Sequence, residues 1–324
     1  MATLRETRDR IRSVNSTKKI TKAQELIATS RITKAQQRVE AASPYAHELT
    51  DVVARVAGAT SLDHPMLQER KNAKVAAILV VTSDRGMCGG YNHNVLKAAA
   101  ELEEMLKDKG LEVVRFVTGK KGVSYYKFRD IEVAGSWTGF SENPEWDITH
   151  DPRNHLIRGF MAGSAGKAKW RPGLDAPEGE PVPGFDQVHV VYTEFESMLT
   201  QTPRVQQLLP VQAVYEDQEY SVESVTQSGG DINPDLAFEP DAETLMKALM
   251  PNYVSRVVYS MFLDAAASES AARRTAMKSA TDNATELVND LTRVANQARQ
   301  AQITQEITEI IGGAGALSDS GERD

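Results

Sequence analysis

The chain has 324 residues, 41% of them hydrophobic and 25% charged, which is the composition of a folded globular protein and excludes a disordered or fibrous one. Cys88 is the only cysteine, so an internal disulfide, a redox dithiol and a cysteine-rich zinc cluster are excluded. The formal net charge of −8 is unevenly spread: residues 1–40 hold ten Lys or Arg against four Asp or Glu, leaving a basic segment in an otherwise acidic protein.

From Met1 to Ser43 there is neither glycine nor proline, and Ala, Gln, Lys, Arg and Glu dominate, so the spacing predicts one long helix. Pro44 is expected to kink it before AHELTDVVARVA resumes helical periodicity as far as Gly58. Its apolar stripes are Leu4, Ile11 and Val14, then Ile20, Ala23 and Ile27, with a phase shift between them. The charged opening lacks the apolar core of a secretory signal, and no run of about 18 apolar residues exists to span a bilayer. The expected location is therefore cytoplasmic.

Strand and helix signals then alternate. KVAAILVVTS reads as a buried strand, NHNVLKAAAELEEMLKDKG as a helix closed at Gly110, LEVVRFVTG as a second strand, GVSYYKF as a short helix, IEVAGSW as a third strand and FDQVHVVYTEF as a fourth. This order predicts an α/β fold, an open, mostly parallel sheet with helices packed on it. The interruption from Phe140 to Gly184 contains a partly helical stretch. It ends in RPGLDAPEGEPVPG, whose four prolines and three glycines in fourteen residues read as an exposed loop.

The last sixty residues before the tail, Asn252 to Ile311, again hold no glycine or proline. A continuous helix of that length measures roughly 90 Å, longer than a compact domain of this size is wide. Met277, Ala280, Ala284, Leu287, Leu291, Val294, Ala298 and Ala301 follow spacings of three and four and predict a heptad seam. The N-terminal helix is the expected partner, returning antiparallel.

Chemical motifs are sparse. SDRGMCGGYN stands between a strand and a helix, where phosphate-binding loops lie. It contains neither G-x-G-x-x-G nor G-x-x-x-x-G-K-[ST], so a tight turn is the better reading. His150 and His155, near Asp147 and Asp151, form the one local cluster with metal-ligand chemistry, weighed against a solvated loop. Cys88 near His93 is better read as a small buried apolar residue than as a nucleophile, and Tyr91, Tyr125, Tyr126 and Trp137 as core. The basic N-terminal helix lacks aromatics before Tyr45 and any helix-turn-helix pattern, which favours an acidic protein partner over nucleic acid.

Three blocks in order, RIRSVNSTKKITKAQELIATSRITKAQ, SDRGMCGGYN and SESAARRTAMKSATDNATELVNDLTRVANQARQAQITQEITEIIGGAGAL, resemble the gamma subunit of F-type ATP synthases, most closely its actinobacterial members. The resemblance spans nearly the whole chain. It implies a long antiparallel coiled coil of the N- and C-terminal helices plus a central Rossmann-like open sheet domain, with helices over 1–60 and 240–313 and the α/β part over 72–215.

It further implies a central rotor shaft inside a hexameric ring of alpha and beta subunits. The foot would rest with the epsilon subunit on the membrane c-ring, at the cytoplasmic face of the cell membrane. Such a shaft carries no catalytic site, cofactor or metal, and couples proton-driven rotation to ATP synthesis from ADP and phosphate in the beta subunits. Lys18, Lys19, Lys22 and Arg31 match cationic positions facing acidic loops of beta, and Arg299, Gln300 and Thr304 match positions bonded to the catch loops of the ring. Gln24 stands where methionine is common in the family, and the segment from about 140 to 184 is longer than the usual linker. That long segment is expected to touch a stator or ring element and bias rotation against hydrolysis. A nucleotide-binding enzyme using the sheet and a coiled-coil adaptor for acidic proteins are the alternatives.

Overall fold

The computed structural model describes residues 4–59, 64–169, 181–211 and 241–320. The elements in chain order are α1 (Leu4–Ala59), β1 (Val75–Val81), α2 (Tyr91–Asp108), β2 (Glu112–Thr118), α3 (Lys120–Phe128), β3 (Gly135–Trp137), α4 (His150–Ala162), β4 (Lys167–Ala168), β5 (Val182–Pro183), β6 (Gln187–Phe195), β7 (Gln201–Leu209) and α5 (Ala242–Ser320). The chain divides into two compact units. One is made of residues up to Ile27 and from Arg274 onward, the other of Ala28–Arg273.

The larger unit is built on a five-stranded sheet of order β3-β2-β1-β6-β7. β1 pairs in parallel with both β2 and β6, and β2 in parallel with β3. The central strand VAAILVV is apolar throughout because both of its faces are covered. On one face α2 and α3 bury Val95, Leu96, Leu102, Leu106 and Tyr126 over Ala76, Ile78 and Val80. The other face carries Leu49 and Val53 of α1, Leu156 and Phe160 of α4, and Met246, Met250 and Val254 of α5 over Ala77, Leu79 and Val190.

Local chemistry sets the ends of these elements. α2 stops at Gly110, whose φ of +80° accompanies amide bonds from Gly110 to Lys107 O (2.8 Å) and from Leu111 to Leu106 O (3.0 Å). This is a glycine C-cap that satisfies the last carbonyls of the helix. α5 starts at Asp241, whose carboxylate accepts the Thr244 amide and hydroxyl, both at 2.8 Å.

Some expectations hold and others are corrected. The stretch read as partly helical does carry a helix. Its helix α4 is the crossover from β3 to β6, and Leu156 and Phe160 are fully buried in the core. α4 approaches closely because Gly159 has no side chain; a Cβ there would lie 2.3 Å from the Phe185 ring. Residues 170–180, most of the Pro/Gly-rich loop, lie outside the described residues. The third strand is only Gly135–Trp137, shorter than IEVAGSW. β7 had no sequence signal, since QTPRVQQLL is polar and contains Pro203. It is an antiparallel edge strand on β6, where a proline is tolerated.

Neither proline stops a helix: α1 runs through Pro44 and α5 through Pro251. Around Pro251 the tertiary core overrides the local penalty, because Met246 and Met250 before it and Tyr253 and Val254 after it are all buried in the same cluster.

The smaller unit consists of the first turns of α1 and the last two-thirds of α5, which run antiparallel because the chain leaves it at Ile27 and re-enters at Arg274. Its seam differs from the predicted one. On α1 the buried or half-buried positions include Leu4, Thr7, Ile11, Val14, Lys18, Thr21 and Glu25, an unbroken spacing of three and four with no phase shift, and Asn15 and Gln24 flank it half-buried. Ile20 and Ile27, 59% and 52% exposed, point outward instead, as does Ala23. On α5 the inward positions are Met277, Thr281, Ala284, Val288, Leu291, Ala295 and Ala298. Three predicted seam positions are displaced by one residue: Leu287 and Val294 are 39% and 50% exposed, and Ala280 gives way to Thr281. Thr21 Oγ1 and Thr281 Oγ1 share a buried hydrogen bond of 2.7 Å, and small residues such as Thr and Ala let the two backbones approach.

Candidate functional site

In an open parallel sheet, ligands bind outside the carboxyl ends of the strands, where the connections diverge to the two sides. Here that point lies beside β1, whose neighbours are β2 and β6. The turn SDRGMCGGYN starts there, with Met87 and Gly89 at φ of +61° and +58°. The protein itself fills the crevice. The Asp84 carboxylate accepts amides from Lys120 (3.1 Å), Gly139 (2.8 Å) and Ser141 (3.0 Å), so a side chain occupies the backbone cradle that an anion would need. Thr82 Oγ1 donates to Thr118 O (2.7 Å) and accepts the Gly122 amide (2.9 Å), and the Tyr91 hydroxyl donates to Ala265 O of α5 (3.2 Å). The void left among Thr82, Tyr91, Phe140 and Phe262 is about 10 Å³, room for one water and not for a nucleotide.

The same turn docks α5 through an ion network. Arg273, almost wholly buried, donates to the Arg85 and Gly86 carbonyls (3.2 Å each) and to Glu269 Oε1 (2.7 Å). Burial pushes the Glu269 carboxyl up, and the adjoining Arg273 charge opposes that push. Arg273 also reaches Glu142 at 3.2 Å, and the same carboxylate pairs with Arg31 of α1 and, at 3.6 Å, with Arg85. Three guanidinium groups from three elements thus converge on one side chain in the β3–α4 connection.

The other candidates hold no chemistry. Cys88 lies against Asn92 Nδ2 (3.3 Å) and Ser83 Oγ (3.7 Å), and burial raises its thiol pKa, the opposite of a reactive cysteine. His155 is buried among Phe116, Trp137 and Phe185 and pushed down to about 4 by burial, whereas His150 sits at the surface 3.4 Å from Asp151. Among the described residues no group of three His, Cys, Asp or Glu could hold a metal ion.

In the two-helix unit, Lys19 and Lys22 are exposed and Lys18 half-buried; Lys22 lies 3.0 Å from Glu25, a seam residue. Arg299, Gln300 and Thr304 are exposed on adjoining turns of α5, with Thr304 Oγ1 donating to Gln300 O at 2.9 Å. Because Thr21 meets Thr281, the lysines and Arg299 are separated by roughly 27 Å of helix. The two sets are therefore distinct bands along one surface, and Arg31 belongs to the larger unit. Sequence reasoning missed Glu142, Glu269 and Arg273. The A-R-R and S-E-S steps at i and i+4 were the available signal for the last two, but nothing local marks Glu142.

Comparison with known proteins bears on this arrangement. The ATP synthase family model matches residues 3–317. The ATP synthase gamma chain of Corynebacterium glutamicum is 70% identical over 325 residues, covering all of both chains. The chain belongs to the ATP synthase gamma-chain family. Gamma chains of Corynebacterium jeikeium and Rhodococcus opacus are 62% and 55% identical, again over the full length of both partners. A chain of the Euglena gracilis mitochondrial ATP synthase, from a cryo-EM structure of its OSCP, F1 and c-ring, has the same fold. Its TM-score is 0.63 at 15% identity, over 99% of this chain and 96% of that one. The actinobacterial resemblance and the fold, two long terminal helices with a central α/β sheet, both stand. As a gamma chain the protein serves as the rotor shaft of ATP synthase, a membrane-bound complex, and no helix among its described residues is long and apolar enough to cross a membrane.

Proposed function

We propose that the two-helix unit turns inside a ring of alternating alpha and beta subunits and selects among the conformations of three beta sites by presenting each a different face. One observation supports this above all: the coil buries several polar residues while leaving large apolar ones exposed. Thr7, Thr21, Glu25 and Thr281 are buried in it, while Ile20, Leu26, Ile27, Leu287, Val294, Ile303 and Ile307 are exposed. An apolar exterior of this size on a soluble helix pair calls for a surrounding sleeve.

In this reading residues 1–60 and 240–313 are the shaft helices and 72–215 the foot. The foot stands with the epsilon subunit on the membrane c-ring, at the cytoplasmic face of the cell membrane as a peripheral subunit. Lys18, Lys19 and Lys22 meet acidic loops of beta, and Arg299, Gln300 and Thr304 hydrogen-bond to catch loops of the ring. Arg31 meets beta only by sharing its guanidinium with Glu142, which already holds it. The loop over 171–184 touches a stator or ring element.

Because each face of the shaft contacts beta differently, its angle carries free energy, and rotation driven by protons becomes a change in nucleotide affinity. Pull-down of this chain should recover alpha, beta and epsilon in stoichiometric amounts. Recovery of none of them would end the proposal, and ATP hydrolysis by the isolated chain would restore the nucleotide-enzyme alternative. Reversing Lys19, the fully outward one of the three lysines, to Glu should change the hydrolysis rate of the assembled complex without changing the melting of the free chain.

A further inference from the structure

The ion network on Glu142 has a property that packing alone does not require. Its members come from α1 (Arg31), from the β1–α2 turn (Arg85) and from α5 (Arg273), and they meet on one carboxylate whose side chain is only 16% exposed. Arg273 is the last residue of the larger unit and Arg31 stands three positions from its start at Ala28. The network therefore sits where both long helices leave the α/β unit.

Charge-assisted bonds are strong and directional, and a carboxylate that accepts from several guanidinium groups fixes their relative positions more tightly than apolar contact does. Glu142 is itself anchored: it follows Ser141, whose amide donates to Asp84 and whose hydroxyl accepts the Asp84 amide (2.8 Å). Asp84 in turn holds Lys120 and Gly139 at the ends of β2 and β3. Hydrogen bonds thus tie the ends of β2 and β3 through Asp84 to Ser141, the backbone carries that anchorage to Glu142 next in sequence, and ion pairs join Glu142 to both helices.

We propose that Glu142 is a torque-transmitting positioning residue: it locks α1 and α5 to the sheet against twisting at the level where they leave it. This rests on the rotor-shaft reading. Loss of the carboxylate leaves the apolar core intact but removes the one partner that three arginines share, so the two helices can twist relative to the domain before torque reaches the far end. The shaft becomes softer without unfolding.

The test uses the assembled complex carrying Glu142→Gln, with Glu142→Asp as the conservative variant and Arg85→Ala as a control for the weakest, most exposed arm. Two quantities are read: the torsional stiffness of the shaft from single-molecule rotational fluctuations, and ATP-driven proton pumping per ATP hydrolysed. The expected result for Glu142→Gln is stiffness reduced to roughly half or less, with pumping per ATP falling while hydrolysis persists. Glu142→Asp recovers part of both, and Arg85→Ala stays near the parent. Unchanged stiffness in an assembled, rotating complex overturns the proposal, as does a parallel fall of pumping and hydrolysis with normal stiffness. Failure of the parent chain itself to assemble or rotate would instead overturn the shaft reading.

Discussion

The α/β unit is built on a buried apolar core, whereas the two-helix unit mixes polar residues into its seam and leaves several apolar ones exposed. In the former, Leu79, Leu156, Phe160, Val190 and Met250 are wholly buried between sheet and helices. In the latter, the inward positions include Thr7, Lys18, Thr21, Glu25 and Thr281 beside Ile11 and Met277, while Ile20 and Ile27 face outward. The first arrangement is stable on its own account, since each buried large side chain contributes about 1.5–3 kcal/mol. The second gains little from its own closure. On the proposed reading its outward apolar surface is covered by the surrounding ring, and the stability of the shaft is shared with that ring.

That contrast can be broken most sharply in the α/β core. Phe160→Ala should cost about 3–5 kcal/mol in denaturant unfolding of the full chain, because the ring is fully buried against the sheet.

A smaller effect follows from Asp264 on α5, whose carboxyl is pushed up to about 7 by burial and then by Glu194. The unfolded value lies near 3.8, so between those values the folded state holds a proton that the unfolded chain has released. Stability therefore falls as pH rises from about 4 to about 7. Asp264→Asn should raise stability at pH 8 by about 2 kcal/mol and leave it unchanged at pH 4, read from melting curves at both values. Stabilisation of equal size at both would show that burial of the charge is not the cause.

The smallest effect belongs to the seam. Replacing Thr21 and Thr281 together by valine removes both partners of a buried hydrogen bond and fills the same space. Helix melting by circular dichroism should shift by less than about 1 kcal/mol, in the stabilising direction. A core-like loss would mean that the hydroxyl pair is the main cohesion of the coil.

The α/β unit was legible in the sequence because its periodicity is apolar. KVAAILVVTS and LEVVRFVTG read directly as strands, and Gly110 marked a helix end. β7 was not, since an edge strand with Pro203 and three glutamines has no apolar alternation to detect. The coil was legible as helix and misread as seam. A rule that places apolar residues inside chose Ile20, Ile27, Leu287 and Val294, and each of them is exposed because the seam runs one position away and takes in Thr21, Thr281 and Ala295 instead. Glu142 was invisible for another reason: its partners lie far away along the chain, and only folding brings Arg31, Arg85 and Arg273 to it.

The central claim, that the outward apolar face exists for a partner and not for the fold of the chain, is tested most directly by the double substitution Leu287→Ser and Val294→Ser. These side chains are already 39% and 50% exposed. The free chain should melt within about 0.5 kcal/mol of the parent, while co-assembly with alpha and beta subunits falls sharply. A free chain destabilised by several kcal/mol that still assembles normally would contradict the account.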